Sequence, residues 1–278
     1  MAAKTGQPAP RVGLFVTCLI DAMRPSAGLA ALDLLTDAGC HVIIPETQTC
    51  CGQPAWNGGD AAAARKVARV FLHAFDDCDY IVVPSGSCGG MLSQHLPQLF
   101  ADADKAEYEK ACAIAEKTHE LTAFLCDIMN YRSAMAMNVG RIAYHDSCSC
   151  LREMKVKEQP RKLLEDSAAG TVLETADNEV CCGFGGLFSV KYDAISTAMA
   201  DRKLDAVLAA EPDMLVAADL GCLMHLAGRL RRRDSVLPVR HIAEVLAGDA
   251  STAPLAGNTD ETSSTGDGAG QDRMTGRR

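Results

Sequence analysis

An adjacent cysteine pair followed by glycine occurs twice in this chain, as Cys50-Cys51-Gly52 and Cys181-Cys182-Gly183. Each pair belongs to a longer pattern. Cys18 precedes the first pair with 31 residues between, and Cys88 follows it with 36 between; Cys148 and Cys222 flank the second pair with 32 and 39 between. The segment Arg11-Val12-Gly13-Leu14-Phe15-Val16-Thr17-Cys18 aligns with Arg141-Ile142-Ala143-Tyr144-His145-Asp146-Ser147-Cys148 at an offset of 130. The pairs align at 131, and Cys88 with Cys222 at 134. A slow drift of offset is the mark of small loop insertions in a duplicated unit, so one scaffold is built twice.

The chain has 278 residues, 48% of them hydrophobic and only 5% aromatic, enough for a buried core of helices on a sheet. The net charge of −9 argues against nucleic acid or an anionic membrane as the partner. The basic run Arg229 to Arg233 reads as the solvated end of a helix, where cations complement the dipole. No signal-peptide pattern and no apolar stretch of membrane-spanning length is visible, so a cytoplasmic location is expected. In that compartment thirteen cysteines stay reduced, and metal or redox chemistry is their ordinary use.

Apolar strand-like runs alternate with helical stretches in both halves, which predicts an α/β fold: two duplicated parallel-sheet βαβ half-domains. In the first half, strands are expected at Val12–Val16, His41–Ile44 and Tyr80–Val83, with helices at Ala27–Ala38 and Asp60–Phe75. In the second, strands are expected near Arg141–Tyr144, Thr171–Leu173 and Met214–Ala217, with helices near Pro160–Ser167, Tyr192–Ala210 and Leu220–Arg231. Ala101–Asn130 reads as helical, and a closing helix is expected from Arg240 to Leu246. The expected organisation is a disordered terminus over 1–9, a first repeat over 10–117, a bridging helix over 118–140, a second repeat over 141–247 and a disordered tail over 248–278. That tail is Gly, Ser, Thr, Asp and Ala with almost nothing to bury.

This arrangement sets Cys18, Cys88, Cys148 and Cys222 just beyond strand ends and the pairs in loops after the middle strands. Ligand sites in open parallel sheets lie outside the carboxyl ends of the strands, so each set of four is expected to meet there. Four thiolates suit an iron–sulfur cluster and equally suit tetrahedral zinc. The candidate ligands are Cys18, Cys50, Cys51 and Cys88 in one repeat, and Cys148, Cys181, Cys182 and Cys222 in the other. Gly52 and Gly183 permit the positive φ a turn needs to aim both cysteines of a pair at one centre. Cys40, Cys78, Cys112 and Cys126 have no repeat partners and read as small core hydrophobes. Cys150, opposite Ile20, reads as a bystander or a fifth ligand. His145 reads as a capping or supporting group, since four thiolates already suffice. The spacing of His41, His73, His95 and His119 points to no site, no P-loop or Ser-His-Asp pattern stands out, and no catalytic residue is assigned.

These motifs resemble the cysteine-rich CCG-domain family, which includes the cysteine-rich component of heterodisulfide reductase and the iron–sulfur component of glycolate oxidase. The resemblance rests on Gln48-Thr49-Cys50-Cys51-Gly52-Gln53-Pro54-Ala55, Pro84-Ser85-Gly86-Ser87-Cys88, Cys181-Cys182-Gly183-Phe184-Gly185-Gly186 and Asp219-Leu220-Gly221-Cys222-Leu223, and it covers about residues 10–247. It implies clusters, one per repeat and of 4Fe-4S type, in an electron-transfer subunit of a complex that oxidises L-lactate to pyruvate alongside a second iron–sulfur protein and a third subunit. The chain departs from the family's full pattern where a Cys-x-x-Cys would begin: Ser85 stands there in one half and Asp219 in the other. Five-cysteine members hold a non-cubane cluster that cleaves a disulfide, so the departure weighs against a heterodisulfide reductase-like thiol–disulfide redox role. Ser85 and Asp219 are possible oxygen ligands or helix caps. A zinc-stabilised scaffold without redox function is the remaining alternative.

Overall fold

The computed structural model describes residues 8–257. Two four-stranded sheets, all parallel, carry the chain. The first is built from β1 (Arg11–Leu14), β2 (His41–Ile43), β3 (Tyr80–Val83) and β4 (Thr118–Glu120) in the order β2-β1-β3-β4. The second repeats it with β5 (Arg141–Tyr144), β6 (Thr171–Leu173), β7 (Met214–Ala217) and β8 (Val239–His241) in the order β6-β5-β7-β8. Even the register is copied: Val12 pairs with Val42 and Tyr80, and Ile142 with Val172 and Met214. The duplicated α/β architecture read from the sequence is the architecture of the molecule.

Helix boundaries follow local chemistry. Pro25 opens the helix Pro25–Asp37, where a missing N–H costs nothing, and Gly39, at φ 86°, turns the chain out of it. Asp60 caps Ala61–Ala74 by accepting the Ala63 N–H at 2.9 Å. The segment read as helical over 101–130 is divided. A helix spans Lys105–Glu116, β4 follows, and only 121–128 is helical again. The bridge expected as one helix over 118–140 is therefore a strand, a short helix and an irregular stretch. β4 and β8 complete the two sheets, so the first repeat extends past its expected boundary at 117. Thr118-His119-Glu120 lacked a strand signal because three residues with one β-branched side chain carry no periodicity; pairing with β3 makes the strand.

The tail expected to be disordered from residue 248 begins ordered. The Leu255 N–H donates to Val239 O at 2.8 Å, Ala256 is buried, and Arg24 donates to Ala253 O at 2.7 Å. A few tertiary anchors hold a segment whose composition promises none. Residues 1–7 and 258–278, both read as disordered, lie outside the described residues.

The two sheets share one apolar layer. Val12, Leu14 and Val82 from the first pack in the same cluster as Ile142, Tyr144 and Val216 from the second. Each repeat then has its own outer cluster, around Phe15, Phe71 and Phe75 in the first and around Leu204, Leu215 and Leu226 in the second. Helix Pro25–Asp37 of the first repeat packs on Ile242–Leu246 at the end of the second. Between them Arg24 forms a buried pair with Glu244 at 2.7 Å. Among the described residues no helix is long and apolar enough to cross a membrane.

Candidate metal centres

β1 lies between β2 and β3, so the chain leaves β1 on one side and β3 on the other. That switch point opens a crevice at the carboxyl ends of the strands. Cys18 begins a short helix four residues after β1, and Cys88 sits in Gly86–Gly90 just beyond β3. The loop after β2 delivers Cys50 and Cys51. It is held in place by Gln48, whose Oε1 accepts the Val16 N–H at 2.8 Å. The sulfurs of Cys18 and Cys50 lie 3.9 Å apart, and Cys51 reaches both Cys50 and Cys88. The second repeat builds the same chain of contacts from Cys148 to Cys181 to Cys182 to Cys222. All eight cysteines singled out from the sequence therefore converge in two sets of four.

Gly52 and Gly183 both stand at φ 88°, in the left-handed region. A Cβ on Gly183 would meet the Ser196 carbonyl oxygen at 2.7 Å, so the third position of that triplet needs glycine for space as well as for φ. The same turn points its own N–H back at the pair: Gly52 N–H to Cys50 Sγ at 3.5 Å and Gly183 N–H to Cys181 Sγ at 3.4 Å. Hydrogen bonds from Cys18 and Cys51, with the Gly52 N–H, hold the Cys50 thiol down to about 2 against its burial. Cys148 and Cys182 do the same for Cys181, also to about 2. Their partners Cys18, Cys51, Cys148 and Cys182 are pushed up in return. In each set the sulfurs hydrogen-bond to one another around one thiol whose deprotonation its neighbours favour, a donor set able to exchange protons for a metal.

Outside the cysteines the two sets differ. The first is backed by aromatics: Phe15 and Phe71 meet edge to face, ring centres 5.4 Å apart. The second has His145 at the position of Phe15, and Lys203 at that of Phe71 by the offset of 132 that also relates Ala64 to Ser196. The Lys203 ammonium, 2% exposed, donates to the carbonyls of Asp177, Asn178 and Val180 at 2.6–2.8 Å, bracing the loop before Cys181. Arg161 braces it too, through Asp146 and Glu174, and Asn178 joins the same two carboxylates. His145 is 1% exposed, and neither ring nitrogen has a hydrogen-bond partner. Its nitrogen and the sulfurs of Cys182 and Cys222 all lie within 4.8 Å of one another. Burial first, and then the Lys203 charge, pull its pKa down to about 3, so the ring is neutral.

Ser85 and Asp219 meet each other. Asp219 Oδ2 accepts from Ser85 Oγ at 3.1 Å and from the Ser87 N–H at 2.9 Å, while Oδ1 takes the Cys222 N–H at 3.4 Å. Asp219 caps the helix Leu220–Arg232 and also ties the loop of one cysteine set to the loop of the other. Cys150 lies close enough to the second set for Cys222 to raise its thiol pKa, after burial and Glu120. It is buried in a π-helical turn, Cys150–Met154, against the backbone of Gly86, where a Cβ would clash with its Sγ. The roles of Gln48, Arg161 and Lys203 escaped the sequence: each acts through loop groups that only the fold brings near.

A doubled cysteine-rich domain of this kind has a family model. The model described as "CCG: Cysteine-rich domain" matches residues 12–93 and again 142–227, one match per repeat. Lactate utilization protein A of Geobacillus sp. (strain WCH70) is 43% identical over 236 residues, 85% of this chain and 98% of that protein. Lactate utilization protein A 2 of Bacillus cereus (strain Q1) and lactate utilization protein A 1 of Bacillus anthracis (strain CDC 684 / NRRL 3495) are each 40% identical over 237 residues, with the same shares covered. The chain belongs to the lactate utilization protein A family of CCG cysteine-rich proteins.

Proposed function

We propose that this chain is the iron–sulfur electron-transfer subunit of a complex that oxidises L-lactate to pyruvate, with one 4Fe-4S-type cluster held by Cys18, Cys50, Cys51 and Cys88 and another by Cys148, Cys181, Cys182 and Cys222. The single observation that carries this reading is the convergence of two equivalent four-thiol sets in a chain whose relatives are named for lactate utilization. Clusters bound there would supply one-electron transfer between a two-electron donor and the next carrier. The protein's part is to hold the sulfurs, to donate the Gly52 and Gly183 N–H groups to them, and to bury Cys51, Cys182 and Cys222 away from water. Cys18 is exposed at the rim, and Leu187, Val190, Tyr192 and Ile195 present apolar side chains just past the second triplet. They offer a contact area for the partner proteins, a second iron–sulfur protein among them. Ser85 and Asp219, occupied with each other, position the two loops and do not ligate.

Anaerobic purification followed by iron, sulfide and zinc analysis tests the proposal. A brown protein with several irons and sulfides per chain, bleached by dithionite, is expected. A colourless protein holding stoichiometric zinc, taking up no electrons, would overturn it. That second outcome has an observation in its favour: 3.9 Å between the Cys18 and Cys50 sulfurs is close to the edge of a tetrahedral thiolate–zinc site, about 3.8 Å for bonds of about 2.3 Å.

A further inference from the structure

The two sites are built on one plan, yet the second encloses a group the first lacks. At the end of β1 the core residue Phe15 is fully buried and packs among Phe71 and Phe75. Its counterpart His145 occupies the same place at the end of β5 and keeps a polar ring in the same seclusion. A buried polar atom without a partner forfeits its hydration for nothing, and His145 has two such atoms. A ring that only filled space would be better replaced by the phenyl group of the first repeat. A ring that capped a helix or oriented a loop would have a hydrogen bond, as His241 has with Pro84 O and Ala218 O at 3.2 Å. His145 has neither backbone nor side-chain partner, and it faces the sulfurs of Cys182 and Cys222 within 4.8 Å. One ring nitrogen aimed at thiolates is the arrangement of a mixed nitrogen–sulfur metal site, with zinc and iron both accepting that donor pair.

We propose that His145 is a metal ligand of the second site, so that the repeat carrying Cys148, Cys181, Cys182 and Cys222 holds a mixed imidazole–thiolate centre while the first repeat holds a thiolate-only one. This rests on the reading that the second set binds a metal centre at all. The two sites are then chemically distinct. His145 adds a neutral donor where the first repeat has only the Phe15 ring, and the charge of the buried Lys203 ammonium acts on the same place. That positive charge favours the more negative, reduced state of any redox centre held there. Electrons arriving at this chain would collect in the second repeat.

The test uses the full-length chain, stripped of metal under anaerobic conditions, labelled with nitrogen-15 at histidine, and loaded with cobalt(II) alone. Background substitutions Cys50→Ser and Cys51→Ser disable the first set, so that the signal belongs to the second. Thiolate-to-cobalt absorption in the near ultraviolet together with a strong nitrogen-15 coupling in pulsed EPR is the expected result. His145→Phe, the residue of the first repeat, should abolish the coupling and weaken cobalt binding at least about ten-fold while leaving thiolate-to-cobalt absorption. His145→Gln is the second variant if the phenyl group misfolds the chain, as read by circular dichroism. Thiolate absorption without nitrogen coupling, or coupling that survives in both variants, would overturn the assignment and leave the second set as a thiolate site. Absence of the thiolate–cobalt band itself would overturn the metal reading of that repeat, and this assignment with it.

Discussion

Cys51 and Cys182 are the buried members of their pairs, each linking its half-buried neighbour to the cysteine beyond the third strand. Replacing either with serine is expected to empty one site and spare the other. Cys51→Ser and Cys182→Ser should each halve the iron and sulfide bound per chain, with circular dichroism unchanged; loss of all metal from a single substitution would contradict separate sites. Glu120 offers a test that needs no metal. It is wholly buried, caps 121–123 through Oε2, and leaves Oε1 without a partner. Burial raises its pKa from 4.5 to about 7. Between those values the unfolded chain has lost the proton that the folded chain keeps, so stability falls as pH rises through that window and is level above it. Glu120→Gln removes this loss. Its stability relative to the parent protein should improve by up to about 3 kcal/mol from pH 4.5 to pH 7.5, measured by urea unfolding; a pH-independent difference would count against it. The eight cysteines were visible in the sequence because doubled spacing shows in one dimension. Nothing there singled out Glu120 or the ligand role of His145, because an unsatisfied atom exists only once neighbours have closed around it.

The loop from Glu174 to Cys182 is an element defined by what braces it. Lys203 reaches it from the helix Asp193–Ala209 and satisfies three carbonyls with one ammonium. Lys203→Met keeps the aliphatic stem and removes the donors, a loss on the order of 3 kcal/mol concentrated in that loop. Amide hydrogen exchange should speed up across residues 177–182 and metal retention should fall at the second site alone; unchanged protection there would exclude the bracing role. The first repeat has Phe71 where Lys203 stands and ties its own loop with Gln48, so the equivalent stretch around residues 46–51 should be untouched. Elements with a strong period were legible: Tyr80–Val83, Arg141–Tyr144, Thr171–Leu173 and Met214–Ala217 stand where the sequence put them. β4 and β8 were not. Thr118-His119-Glu120 and Val239-Arg240-His241 have one β-branched residue each among polar and charged ones, so pairing with β3 and β7 makes them strands, and Arg240 and His241 were read as the start of a helix that begins only at Ile242.

At the scale of the molecule the repeats are joined by a common apolar layer and by two buried polar ties, Arg24–Glu244 and Ser85–Asp219. Breaking a buried ion pair from one side strands the other charge, so Arg24→Met should cost roughly 3–5 kcal/mol and lower the thermal midpoint by roughly 6–20 °C. Because the central layer belongs to both sheets, calorimetry of the metal-free protein should show one transition; two separated transitions would mean that the repeats unfold independently. The sequence by itself determined that the chain is a duplication, that its sheets are parallel, and that eight cysteines form two sets, since each of these is carried by spacing and hydrophobic pattern along the chain. Only the tertiary structure decided how the copies differ and how they meet. Ser85 and Asp219, both standing at the family's missing cysteine, touch because the loops beyond β3 and β7 are brought face to face. His145 and Phe15 hold one position in the plan, and what each does depends on the buried neighbours that folding gathers around it: rings about Phe15, sulfurs and an ammonium about His145.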